Sequence, residues 1–223
     1  DVYKRQIVVC TIGFIGFFMG RRDIPVISLN LSGLENNPGF QITLPLLLRG
    51  LYSLLLGDIF MRVLYRTRPY EKIPGSANAL HERLKQECIN FLQSNHLSKR
   101  KFDQLCRRIV KEFDQLPMLD IKKPKVGIVG EILVKLSPVA NNYLVELLEQ
   151  EGAEAVVPDL TDFFLYSFYN MNFKSEHLGM KKSSAWKANL GIRVLESMRK
   201  SACDALKESK HFLPPSHIKD TAN

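Results

Sequence analysis

Four cysteines, Cys10, Cys88, Cys106 and Cys203, are the side chains best suited to hold a metal cluster, and they lie far apart with no C-x-x-C spacing. Such a scatter suggests neither a disulfide framework nor a self-contained metal site. Cys88 and Cys106 fall on apolar helical stripes, where a small core side chain is the plainer role. A second constellation is Glu131, Asn141 and Asn142. It surrounds the loop 130–137, which leaves the carboxyl end of an apolar strand, where α/β sheets hold their ligands. The same residues would also serve as a solvated loop acid and the polar positions of a helix's first turn. A third group, Arg66, Arg68 and Glu71, follows a long helix that Pro69 ends. It reads either as ionic groups at a cleft or as a structural ion-pair network. Dinucleotide binding is not supported, because only Gly127 and Gly130 stand near the turn where three glycines are needed. No Gly-x-x-x-x-Gly-Lys-Ser/Thr loop occurs in the chain.

The stretch 125–158 positions the second constellation as strand, loop, helix and strand. Val126, Ile128 and Val129 form the apolar run of a buried parallel strand. Ser137 and Pro138 read as an N-cap and a first helical residue. Val139, Tyr143, Leu144, Leu147 and Leu148 then recur at helical spacing, and Gly152 supplies a left-handed stop. Ala155, Val156 and Val157 resume a strand that Pro158 closes. Connections this short imply a right-handed parallel crossover, with 126–130 beside 155–157 and a helix over 139–151 packed across them.

Upstream, 1–6 is set aside as a processing or sequencing scar. The apolar run 7–20 lies between basic flanks but is short for a spanning helix and lacks a small-residue cleavage site. A buried strand and connector suit it better, followed by a strand over 24–31 and a turn over 33–39. The segment 42–65 is apolar enough to suggest a membrane, yet Pro45, Arg49, Asp58 and Arg62 interrupt it. Arg49, Ser53 and Gly57 share one helical stripe, and Asp58, Arg62 and Arg66 another on the opposite side. Either this helix is buried between two layers, with Asp58 and Arg62 in ion-pair reach at i,i+4, or it breaks at Gly57-Asp58. Ser76 caps a helix bearing Leu80, Leu84, Cys88 and Leu92. Ser98 opens another bearing Phe102, Leu105, Cys106, Ile109, Val110, Phe113 and Leu116, and no strand falls within 76–116. Beyond Pro158, Asp159 or Thr161 caps an aromatic-rich helix through Tyr169. A last amphipathic helix near 184–208 carries Trp186, Leu190, Leu195, Met198 and Ala202.

With 223 residues and a formal charge of +8, the chain has length for a core and a bias toward anionic partners. Its basic residues are scattered along amphipathic helices, and no basic run is interleaved with aromatics, so a nucleic-acid partner is not expected. The cysteine usage fits a reducing cytoplasm, and the chain is expected to be soluble.

Three groups of residues in order carry a resemblance: Ile24-Pro-Val-Ile-Ser-Leu, then Gly57-Asp58 with Arg68-Pro-Tyr-Glu71, then Val126-Gly-Ile-Val-Gly-Glu131 with Ser137-Pro-Val-Ala-Asn-Asn142. Together they resemble the acyl-CoA dehydratase activase-related proteins, kin of the subunits of 2-hydroxyacyl-CoA dehydratases and benzoyl-CoA reductases. The resemblance implies an α/β fold of flavodoxin-like parallel βαβ lobes with a helical insertion, here a partial lobe over 1–121 and a second over 122–223. It implies Gly57, Asp58, Arg68, Tyr70, Glu71, Gly130, Glu131, Asn141 and Asn142 as cleft residues. It also implies a [4Fe-4S] cluster in the intact protein, acyl-CoA as a substrate, and ATP used through an activase module absent from this sequence. The chain then reads as an internal fragment, with none of the four cysteines assigned as a cluster ligand and Cys10 the least core-like. Two functions stay open: a module passing one electron to an acyl-CoA, or a non-catalytic scaffold docking the ATPase module or a partner subunit.

Overall fold

Leucine-rich sequence without a β-branched run builds a long element of the core, helix α1 (Leu44–Thr67). The structure is a computed structural model that describes residues 43–177 and 182–215. The chain divides into two units, Asp1–Leu47 and Leu48–Asn223, and apart from the first turn of α1 the described elements belong to the second. Cys10 and the strand and turn expected over 24–39 lie outside the described residues. Pro69 stops α1 as expected: it lacks an amide donor and disfavours helical backbone at the residue before it. The chain tightens into a 3-10 turn at Arg68–Tyr70.

Two helices follow, α2 (Ser76–Gln93) and α3 (Lys99–Asp114), with no strand within either, as expected. The stripe read on α3 is the buried one: Phe102, Cys106, Ile109, Val110 and Phe113 are all in the core. They meet Leu84, Cys88 and Phe91 of α2 and Tyr52, Leu55, Ile59 and Val63 of α1. The Tyr52 ring sits 4.6 Å from Phe102 and 5.7 Å edge-on from Phe91, centroid to centroid. The end of a later helix closes this core with Ala202, Ala205 and Leu206. Ser76 is not the cap of α2. Gly75 holds that position at φ 84°, and the Glu71 carboxylate accepts from the Gly75 and Ala77 amides at 2.6 and 2.8 Å.

The βαβ reading holds in its pairing and fails in its detail. Strands β1 (Lys125–Gly127) and β2 (Glu154–Val156) are parallel, with Val126 opposite Ala155. They are the two-stranded sheet of a mostly helical chain, so the architecture is broadly α/β. The run 126–130 is not a buried strand throughout. Ile128 is buried, Val126 lies at the edge of exposure and Val129 is 84% exposed, because with a single neighbouring strand only one face meets the core. Ser137-Pro138 does not start the crossover helix. A short helix, α4 (Ile132–Leu136), precedes turns over 137–142, and α5 (Leu144–Gln150) begins only after Asn142 and Tyr143 have taken left-handed φ of 56° and 55°. Gly152 stops α5 as read: at φ 85° it lets its own amide reach Glu149 O and the Ala153 amide reach Leu148 O, the double bond of a Schellman cap.

Helix α6 (Leu160–His177) runs past Tyr169, and α7 (Lys182–Lys207) packs along it. Leu195 and Ala202 are buried in α7, but Trp186 and Leu190, read as core, are 67% and 48% exposed. Helix α6 does reach this stretch, where Asn172 bonds Asn189 and Ala188 is fully buried, so Trp186 and Leu190 occupy other positions of the turn. Replacing the fully buried Phe113 by alanine is expected to lower the unfolding free energy by about 3–5 kcal/mol in a urea melt. A loss of only a few tenths would mean the α1–α2–α3 core is packed otherwise.

Candidate functional site

Helix α1 carries two polar stripes, and each reaches a different part of the chain. On one side Arg49 donates to the Leu92 and Ser94 carbonyls at 3.0 and 3.2 Å, covering the end of α2, where helix carbonyls are unpartnered and the dipole is negative. Ser53 and Gly57 on the same side face solvent. The break expected as one alternative at Gly57-Asp58 does not occur, and the helix runs through both residues. The layered alternative holds in part. From Leu55 onward most positions are buried or half-buried, whereas Leu44, Leu46 and Leu47 are exposed. By length and composition alone, Leu44–Tyr70 would suffice to cross a membrane.

The opposite stripe, Asp58, Arg62 and Arg66, meets the segment 154–162. Asp58 caps a helix, but the helix is α6, a hundred residues on. Its two oxygens accept from the Leu160 and Thr161 amides at 2.8 Å each, and the Thr161 hydroxyl also donates to Oδ2. A carboxylate at a helix N-terminus is stabilised by the orphan amides and the dipole. Arg62 does not pair with Asp58 at i,i+4 as expected. It reaches Asp159 Oδ2 at 2.8 Å, because Asp58 is already committed to α6. Arg199 of α7 completes the group, 2.6 Å from Asp162 and 3.6 Å from Asp159. Neither Asp159 nor Thr161 is the cap of α6 in the sense expected, since the capping oxygens come from outside the segment.

Three carboxylates and two guanidinium groups thus gather in a place largely closed to water, and the guanidinium groups pair with Asp159 and Asp162 only. Burial, and then the neighbouring Asp159 charge, push the Asp58 carboxyl up to about 6, against the opposing pull of its hydrogen bonds. Burial likewise raises Asp162, although Arg199 opposes it. The cavity beside them is about 10 Å3, room for one water and no substrate.

A second node gathers on β2. Glu154 is 3% exposed and accepts from Arg66 and from the Tyr70 hydroxyl, each at 2.6 Å, with Lys125 Nζ 3.7 Å away. Arg68 binds Glu149 of α5 at 2.6 Å and lies 3.8 Å from Glu146. Burial raises the Glu149 carboxyl, with Arg68 opposing. Of the expected cleft residues, Arg68 and Tyr70 therefore converge on the βαβ unit from below. Their ion-pair-network alternative is the one observed for Arg66 and Arg68, while Glu71 caps α2. Glu131 and Asn141 stand in the loop beyond β1 and hold that loop. Glu131 accepts from the Val134 amide, and Asn141 donates to the Val134 and Lys135 carbonyls while accepting from the Leu144 amide. Asn142 and Gly130 are exposed at positive φ. Glu154, Asp162 and Arg199 were missed by sequence reasoning, and Asp159 was read only as a helix cap. Nothing local marks them, since their partners lie between 29 and 97 residues away.

Cys88, Cys106 and Cys203 are poor cluster ligands as placed, because a cluster takes thiolates and burial disfavours that form. Burial, aided by Glu87, pushes the Cys88 thiol up to about 12, and burial also raises Cys106 and Cys203. Among the described residues no group of three His, Cys, Asp or Glu side chains is placed to hold a metal ion. Comparison of the chain with protein-family models, with curated proteins and with solved structures finds no match.

Asp58 gives this site a pH signature. Its folded pKa lies above the unfolded one, so its contribution to stability is full below about pH 4 and is lost as the pH rises through about 6. Asp58→Ala is therefore expected to cost more stability at pH 4 than at pH 7, by on the order of 2–3 kcal/mol. Chemical denaturation at the two pH values reads the difference, and an equal cost at both would show that Asp58 is not strained by its burial.

Proposed function

We propose that this chain is a non-catalytic α/β scaffold of the acyl-CoA dehydratase and activase-related kind, which docks an ATPase activase module or a partner subunit. The observation that carries the reading is the use made of the motif residues. Asp58, Arg68, Tyr70 and Glu71 each bind an element of the chain itself: the start of α6, Glu149 of α5, Glu154 of β2, and the start of α2. A polar group committed to holding two elements together serves position, not turnover. The thiols at Cys88 and Cys106, raised by burial, favour the same role.

On this reading β1 and β2 belong to a flavodoxin-like lobe, and any [4Fe-4S] cluster of the intact protein is held by cysteines other than the three described. The module works in the cytoplasm, off the membrane. The pairing of Asp58, Arg62 and Arg66 with residues 154–161 supports that location, because it turns the charged stripe of α1 toward protein.

Anaerobic reconstitution with iron and sulfide is expected to leave the purified chain without a stable cluster. An activase ATPase of a 2-hydroxyacyl-CoA dehydratase system is expected to sediment with it as a complex of fixed stoichiometry. A stoichiometric cluster lost on Cys10→Ser would overturn the non-catalytic reading, and failure of the two proteins to associate would overturn the docking role.

A further inference from the structure

Between the end of α1 and the extended segment 117–125 lies an open groove of about 640 Å3. Small-molecule sites commonly enclose roughly 300–1,000 Å3. Arg66, Lys122, Lys123 and Lys125 line it, with His211 at the same cavity. Met118, Leu119 and Ile121 supply apolar surface, and the last two are 43% and 48% exposed. Asp120 is the carboxylate on its wall.

The cations are not equivalent. Arg66 and Lys125 share the buried Glu154 at the margin of the groove. That carboxylate fixes Arg66 through Nη1, and among the described residues the other guanidinium nitrogens have no hydrogen-bond partner. Lys122 and Lys123 make no ion pair among the described residues, and Lys122 is exposed. Two adjacent ammonium groups in no ion pair, of which Lys123 feels the more distant Glu149 carboxylate, stand beside a pre-oriented guanidinium and suit an anion with two linked charged groups. Lysine binds phosphate as a point charge, and arginine presents a fixed fork. The apolar residues Met118, Leu119 and Ile121, which precede these lysines along the wall, suit a ring or chain attached to that anion.

We propose that this groove binds a small diphosphate ester bearing an aromatic or apolar group, of the nucleoside diphosphate type. The concave, bounded shape favours a small ligand over a nucleic acid, whose binding needs a continuous basic track or a row of free stacking aromatics. The one aromatic ring here, Tyr70, has its hydroxyl held by Glu154. The site goes beyond the docking role above and is tested without any partner protein.

The test is calorimetric titration of the full chain with ADP at low salt. Saturable one-to-one binding is expected, weakened about tenfold by Lys122→Ser or by Lys123→Ser and about a hundredfold by both. Lys99→Ser with Lys101→Ser, on the wet face of α3, is expected to leave the affinity unchanged, and unchanged melting temperatures show that the variants fold. Pyrophosphate is expected to bind more weakly than ADP, and adenosine not measurably. Any of four results overturns the proposal: no saturable ADP binding, equal ADP affinity in the double variant, adenosine binding as tightly as ADP, or single-stranded RNA or phosphatidylserine vesicles binding more tightly than ADP.

Discussion

A charge taken out of water must find a partner, and on α1 that requirement is met by residues 154–162. Asp58, Arg62 and Arg66 occupy successive turns of one face and are answered in turn by the start of α6, by Asp159 and by Glu154. The pairing joins the helical core to the small parallel sheet and sets where α6 begins. Removing one partner would strand the other in a low dielectric, a cost of roughly 3–5 kcal/mol. The apolar packing of α1, α2 and α3 is larger in area but less directional. It would tolerate a rotation of α1 that this ladder forbids.

The ladder is unevenly balanced. Arg62 and Arg199 pair with Asp159 and Asp162, so Asp58 is left to the Leu160 and Thr161 amides and the Thr161 hydroxyl. Its raised pKa is the consequence: hydrogen bonds from a helix N-terminus favour the charged form, but burial beside a second aspartate outweighs them. Glu154 meets the same need differently, with a guanidinium, a phenol and a nearby ammonium around one carboxylate. Each arrangement leaves little polar capacity for a ligand. The groove at 117–125 differs because Lys122 and Lys123 make no ion pair among the described residues and stand outside the ladder.

Much was legible where the physics is local. The stripes of α2 and α3 follow from a period of 3.6 residues, and the end of α1 from the missing amide of Pro69. The stop of α5 follows from the left-handed freedom of Gly152. Parallel pairing of β1 with β2 follows from a short crossover, which leaves few alternatives. The failures share one cause. Ser137-Pro138 has the chemistry of a helix start, yet Asn141, bonded to carbonyls of the preceding short helix, moves that start to Leu144. Val129 has the composition of a buried strand, but no third strand among the described residues covers it.

The same division separates the candidate residues. A capping role for Asp58 was read only for a break at Gly57-Asp58, and α1 runs through both residues without one. That it caps α6 was not readable, since capping depends on which amides the fold brings within 3 Å. Likewise Arg66 and Arg68 were recognisable as ion-pair formers, but Glu154 and Glu149 became their partners only when β2 and α5 packed against the end of α1. By itself the sequence determined the period, ends and polarity of the helices, because these are set by neighbours a few residues apart. The tertiary structure alone decided which charges meet and which stay exposed, because burial and distance between remote side chains have no counterpart in local spacing.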